Sequence, residues 1–174
     1  MIPADPLPSP KPREENVAIS IDTKKNPCLL GCSFDSLAMS HTPQIRRILE
    51  TSLYAEDLDR AELFYTEILG LELFAKEPDR HVFFKCGDQM LLIFNPAKTI
   101  QETEVAPHGA TGPGHVAFAV SIAELDQWAA RLRSEKIPIE QEVTWPKGGR
   151  SFYFRDPAGN CLELASPLIW GMSD

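Results

Sequence analysis

The segment FRDPAGNCLELA, residues 154–165, decides the fold, because it reads as two strands joined by a tight turn. Its centre, Asp156 to Asn160, is built from residue types that favour sharp chain reversal. Side chains then alternate between the two faces of the second strand. One face carries Leu162 and Leu164 and is expected to be buried. The other face carries Cys161, Glu163 and Ala165 and is expected to be open.

The residues upstream of this hairpin complete a module of one helix and four strands. His115–Val120 has the pattern of a strand, and Ser121-Ile122-Ala123-Glu124 is a capping box that begins a helix. One further strand is predicted near Ile139–Thr144, and the first strand of the hairpin is predicted at Ser151–Arg155. The strand order within this half of the chain is therefore β-α-β-β-β.

The first half of the chain has the same order of elements. The predicted elements are a strand at Ile48–Tyr54, a helix at Leu58–Leu69, and strands at Leu71–Ala75, His81–Lys85 and Met90–Phe94. A repeat of this length indicates two equivalent modules, each with a helix on one face of its sheet. We predict an α+β fold in which two βαβββ modules form a cupped mixed sheet. Module one covers about 47–96, the linker 97–113, and module two 114–167.

The N-terminal residues 1–45 differ from this pattern and are predicted to be a flexible, proline-rich extension to a domain spanning 46–171. Five prolines fall among the first twelve residues, at Pro3, Pro6, Pro8, Pro10 and Pro12.

Composition excludes several classes of partner. The net charge of -8 argues against nucleic acid and against an anionic membrane surface. No apolar run reaches the roughly 20 residues that a membrane-spanning helix needs. The four cysteines are too scattered for a disulfide framework, which favours reduced thiols and a cytoplasmic location.

Three residues of strong ligand type lie on the open faces of the predicted strands. Glu50, His115 and Glu163 alternate with small side chains, which leave room beside them. Two carboxylates brought close together repel each other unless a cation neutralises them. Oxygen and imidazole ligands suit one divalent ion such as Mn, Fe(II), Zn, Ni or Co. The alternative is metal-free acid–base work, and in either case Glu50 and Glu163 are the candidate catalytic groups.

Other residues are weaker candidates for contact with a small-molecule substrate. Tyr54 and Tyr153 share a face with the candidate ligands, and His81 begins a strand that borders the same cup. Leu91 is a candidate apolar contact. Arg150 ends a basic loop and is a candidate partner for an anionic group. His108, in the linker, is a candidate lid residue.

These residues resemble the vicinal oxygen chelate superfamily, which includes glyoxalase I, bleomycin- and fosfomycin-resistance proteins and extradiol dioxygenases. The resemblance rests on residues 49–54, 64–71, 114–118 and 154–164. It implies metal ligands at Glu50, His115 and Glu163. The fourth ligand of glyoxalase I falls on Leu91 or Leu92, both apolar, so that ligand is missing.

The resemblance implies a divalent-metal enzyme acting on a small oxygen-bearing substrate, and a glyoxalase-like lyase or isomerase is favoured. An extradiol-type dioxygenase, a thiol transferase and a metal-free, bleomycin-resistance-like ligand-binding protein remain alternatives. No organic cofactor is expected. A homodimer is implied, with the site lying either within one chain or across two.

Overall fold

The computed structural model describes residues 44–101, 105–146 and 148–174. Residues 45–174 form one compact unit. The predicted N-terminal extension lies almost wholly outside the described residues.

The first module contains one helix and four strands. Its elements are β1 (Glu50–Tyr54), α1 (Leu58–Leu63) continued by a π-helical turn (Phe64–Ile68), β2 (Glu72–Glu77), β3 (His81–Cys86) and β4 (Gln89–Phe94). Asp57 caps α1, because its side chain accepts a 2.9 Å hydrogen bond from the amide of Arg60. The predicted order of elements is confirmed.

The linker contains a short helix that the sequence pattern did not indicate, α2 (Pro96–Thr99). The second module follows as β5 (His115–Ala119), α3 (Leu125–Ser134), β6 (Gln141–Thr144), β7 (Arg150–Arg155) and β8 (Cys161–Ala165). The capping-box bond is present, since the amide of Ser121 donates to Glu124 Oε2 at 3.1 Å. None of the described helices has the length and apolarity to cross a bilayer.

The strands form two four-stranded sheets with the same topology. The orders are β1-β4-β3-β2 and β5-β8-β7-β6. In each sheet the first pair is parallel and the other two are antiparallel. The α+β prediction of two βαβββ modules is confirmed, with one sheet per module.

Each sheet buries one face in a core that the two modules share. The first sheet contributes Leu53, Val82, Phe84, Leu91 and Ile93, and the second contributes Phe152, Phe154, Leu162 and Leu164. Apolar residues of α1 and α3 belong to the same cluster. Because alternate side chains point to opposite faces, the other face of each sheet points away from this core. We call these two surfaces the open faces.

Asn160 joins the two modules from within the turn that follows β7. Its side-chain oxygen accepts from the amide of Gly114 at 2.8 Å, and its Nδ2 donates to the carbonyl of Tyr54 at 3.1 Å. The same Nδ2 donates to Asp156 Oδ2 at 2.8 Å, and Tyr65 donates its hydroxyl to that oxygen at 2.9 Å. Burial, with the Asp156 carboxylate as the next cause, raises the pKa of Tyr65 well above its usual value. The end of β1 and the start of β5 are therefore fixed to one polar network.

Candidate metal centre

His115 and Glu163 lie side by side on the open face of the second sheet. The parallel register pairs His115 with Cys161 and Ala117 with Glu163, so the two side chains come from neighbouring strands. His115 Nε2 is 3.6 Å from Glu163 Oε2. Alternation therefore places an imidazole nitrogen and a carboxylate oxygen close enough to bind one metal ion together.

A hydrogen bond to the backbone orients the imidazole of His115. Its Nδ1 lies 3.0 Å from the carbonyl oxygen of Cys161. A carbonyl can only accept, so Nδ1 carries the proton, and in the neutral ring Nε2 presents its lone pair. Histidine ligands of metals are commonly held this way, with the second ring nitrogen donating to a fixed acceptor.

Glu163 is a buried carboxylate, and one of its two oxygens has no hydrogen-bond partner in the described chain. The residue is 6% exposed, and Oε1 is buried with no hydrogen-bond partner among the described residues. A buried charged oxygen without a partner is costly, and a cation would supply the missing interaction. His115 and Glu163 therefore fit a divalent metal ion as two of its ligands.

Tyr153 borders this pair, as its parity predicts. It is the cross-strand neighbour of Glu163 on β7, and its ring is stacked near His115 with a centroid separation of 6.2 Å. Burial, followed by the nearby Glu163 carboxylate, raises the pKa of the Tyr153 hydroxyl. The hydroxyl thus stays protonated at neutral pH and can donate a hydrogen bond.

Glu50 does not join this pair within one chain. It is exposed on the open face of the first sheet, and no group of three or more His, Cys, Asp or Glu side chains in the described ranges is placed to hold a metal ion. The Tyr54 end of β1 meets the second module through Asn160, and Glu50 begins the strand four residues earlier, about 13 Å away along it. The two open faces also point away from the shared core. The predicted three-ligand set is therefore not assembled in a single chain.

The prediction that Leu91 contacts substrate is wrong. Leu91 is 2% exposed and belongs to the shared core. Its neighbour Leu92 takes the open face, opposite Ser52 of β1. The missing fourth ligand of the family therefore corresponds to Leu92, which offers no donor atom.

The prediction that Arg150 contacts an anionic group stays a prediction, and the structure places Arg150 away from His115 and Glu163. Arg150 opens β7 with the parity of Phe152 and Phe154, on the helix side of the sheet. Its guanidinium lies 3.0 Å from Asp126 of α3 and 3.9 Å from Glu142. The sheet separates this side chain from His115 and Glu163.

The placement of Arg150 gives a direct prediction. Arg150→Ala is expected to leave metal content unchanged and to lower the free energy of unfolding by less than about 1 kcal/mol, because exposed ion pairs contribute little. Elemental analysis and urea denaturation check both parts. A loss of bound metal would contradict the assignment of Arg150 to the helix side.

The open face of the first sheet carries the remaining candidates. The hydroxyl of Tyr54 lies 2.9 Å from His108 Nδ1, which brings the linker onto this face. His81 stacks on Phe83 with a centroid separation of 4.0 Å. The sequence analysis did not single out Asn160, which links the modules, or Phe94, which lies opposite Tyr54. The turn position of Asn160 and the strand parity of Phe94 are both visible in the sequence.

Comparison with known proteins identifies the family. The model of the Glyoxalase/Bleomycin resistance protein/Dioxygenase superfamily matches residues 47–164. This chain belongs to that superfamily.

Its relatives carry more than one named activity. Glutathione transferase FosA of Serratia marcescens is 30% identical over 65% of this chain and 75% of its own length. A probable lactoylglutathione lyase of Vibrio parahaemolyticus is 27% identical over 68% of this chain and 88% of its own length. The crystal structure of a lactoylglutathione lyase from Agrobacterium tumefaciens is 44% identical, with a TM-score of 0.73, and covers 75% of this chain and 100% of that one.

Proposed function

We propose that this chain is a divalent-metal enzyme, a glyoxalase-like lyase or isomerase that acts on a small molecule with adjacent oxygens. The observation that carries the proposal is the pair formed by His115 Nε2 and the buried Glu163, whose Oε1 has no partner in the described residues. The relatives named lactoylglutathione lyase support this choice of reaction class.

The third ligand of the proposed site is Glu50 of a second copy of the chain. Within one chain, Glu50 lies on a different sheet whose open face points away from the shared core. A homodimer that brings the first open face of one copy against the second open face of the other would unite the three ligands. Two such sites arise in a symmetric dimer, because every contact occurs twice.

The residues have separable roles in this proposal. His115 and Glu163 would hold the metal ion, which would supply Lewis-acid polarisation of substrate oxygens. Glu163 is also the proposed proton acceptor, through the carboxylate oxygen that does not hold the metal, because this carboxylate is buried beside His115. The Tyr153 hydroxyl is placed beside Glu163 to donate a hydrogen bond to substrate or to the carboxylate. The apolar Leu92 keeps the site at three protein ligands.

Thiol transfer is the second candidate, supported by the similarity to FosA. A thiol-consumption assay with an epoxide tests it, and isomerisation of an α-hydroxy carbonyl compound tests the favoured reaction. The dioxygenase and the metal-free binding protein stay as alternatives, and elemental analysis of the purified protein separates the latter. The metal identity and the cytoplasmic location remain predictions.

Mixed dimers test whether the site spans two copies. Glu50→Gln and Glu163→Gln homodimers are each expected to bind almost no metal. A heterodimer of the two variants has one site with both substitutions and one site with neither. It is therefore expected to bind about half the wild-type amount of metal, because one of its two sites is intact. Co-expression with two affinity tags isolates this heterodimer for elemental analysis.

The alternative arrangement gives a different result. If each site lay within one chain, every site of the heterodimer would carry one substitution, and metal would be lost as in the homodimers. A monomeric wild-type protein with full metal content would also contradict the shared site.

A further inference from the structure

An aromatic cluster covers one end of the first open face. We define it as Tyr54, His81, Phe83, Phe94 and His108. The Phe83 and Phe94 rings meet edge to face with centroids 5.2 Å apart, and Phe94 meets His108 in the same way at 4.6 Å. Open faces of sheets normally carry polar side chains, so this concentration of rings calls for a reason beyond packing of the shared core.

The aromatic cluster lies on the same open face as the proposed third ligand. The register puts Glu50 in a row with Met90 and Lys85, and the next row on this face holds Ser52, Leu92 and Phe83. These rows are about 7 Å apart along the strands, and Phe83 lies two strands, or about 10 Å, to the side of Glu50. A substrate held by its oxygens near Glu50 would therefore extend across Leu92 toward the Phe83 ring.

His81 carries a polar atom that the protein leaves unused. Its Nδ1 is buried without a hydrogen-bond partner in the described chain, and Glu77 Oε2 lies 3.6 Å from it. Burial lowers the pKa of His81, although Glu77 opposes this, so the ring is neutral at pH 7. A hydroxyl beside these two atoms could accept from Nδ1–H and donate to the carboxylate, since hydroxyls donate and accept.

The charged groups that border the open faces favour a neutral ligand. Lys85 Nζ lies 2.6 Å from Glu72, and Arg155 forms two hydrogen bonds with the carboxylate of Glu140. Arg47 is likewise paired with Asp88. These cations already have anionic partners, whereas the π faces of the aromatic cluster favour a planar apolar group.

We infer that the aromatic cluster binds a neutral, hydroxylated aromatic ring in the substrate, with the ring against Phe83 and the hydroxyl at His81 Nδ1. This inference rests on the proposed function, because it places the ring beside the Glu50 ligand. It narrows the substrate class to molecules that carry a phenolic group beyond their metal-binding oxygens.

Probe binding tests the inference in the full-length protein. The probes are 4-ethylphenol, ethylbenzene and 4-ethylcyclohexanol, titrated by protein NMR with and without the metal. We expect 4-ethylphenol to bind about tenfold tighter than either of the others, because each lacks one of the two interactions. His81→Phe keeps a ring but removes the nitrogen, so it is expected to bind 4-ethylphenol and ethylbenzene equally. Phe83→Leu is expected to weaken 4-ethylphenol about fivefold through loss of the ring contact.

Phe74→Leu is the matched control, because Phe74 is 60% exposed on β2 and outside the aromatic cluster. It should not change binding. Equal binding of the three probes to the native protein, or a preference for 4-ethylphenol that survives His81→Phe, would overturn the inference.

Metal content, measured on the same samples, separates this inference from the proposed function. Ring preference without bound metal contradicts the proposed enzyme but leaves the ring site standing. Normal metal content without ring preference contradicts the ring site alone.

Discussion

Replacement of Glu163 by glutamine is expected to abolish metal binding while the protein remains folded. Glutamine keeps the size of the side chain but removes the charge that a divalent ion requires, so affinity should fall by more than about a hundredfold. The metal-free variant should be at least as stable as the metal-free native protein, because it no longer buries a carboxylate oxygen without a partner.

Two measurements check this expectation. Elemental analysis after dialysis should find metal in the native protein and almost none in the variant. Addition of metal at a hundred times its Kd should stabilise the native protein by about 2.7 kcal/mol and the variant by almost nothing. Glu135→Gln is the control, since Glu135 is exposed at the end of α3. A variant that keeps full metal content would remove Glu163 from the site.

The second large effect is expected from Asn160→Ala. The substitution removes the acceptor of the Gly114 amide and the donor to Tyr54, and it takes one partner from Asp156. Asn160 is 1% exposed, so water does not readily replace these bonds. Unsatisfied buried groups cost about 1–3 kcal/mol each, and we expect a total loss of about 3 kcal/mol in the free energy of unfolding.

Urea denaturation measures this loss, and Asn95→Ala is the matched control. Asn95 caps the short helix α2 through the amide of Ala97, at a partly exposed position. Loss of a cap costs about 1 kcal/mol. If Asn160→Ala lowered the free energy of unfolding no more than Asn95→Ala, the hydrogen bonds of Asn160 would not be what holds the two modules together.

Strand parity predicted which side chains share a face of each sheet. The alternation around Glu163 placed its carboxylate opposite Leu162 and Leu164, and the structure buries both leucines in the core. The same reasoning put Tyr153 on the face of Glu163, and the structure makes the two residues cross-strand neighbours. Parity works here because one face of each sheet is strongly apolar, which fixes the register.

Three features of the site do not follow from strand parity as the sequence presents it. Arg150 is three residues from Tyr153 and so must take the opposite face, but it was treated as part of a loop. Leu91 and Leu92 are both apolar, and only the hairpin register separates the core residue from the open one. The separation of Glu50 from His115 depends on how two modules pack, which no local pattern records.

The network at Asn160 bears on any attempt to divide the protein. A cut in the linker would leave Tyr65 in one fragment and its acceptor Asp156 in the other. Each fragment would also expose half of a hydrophobic interior, because residues of both contribute to one cluster. Neither half is expected to stay soluble alone. The two halves expressed together should reassemble, so this fold is suited to a split-protein complementation assay.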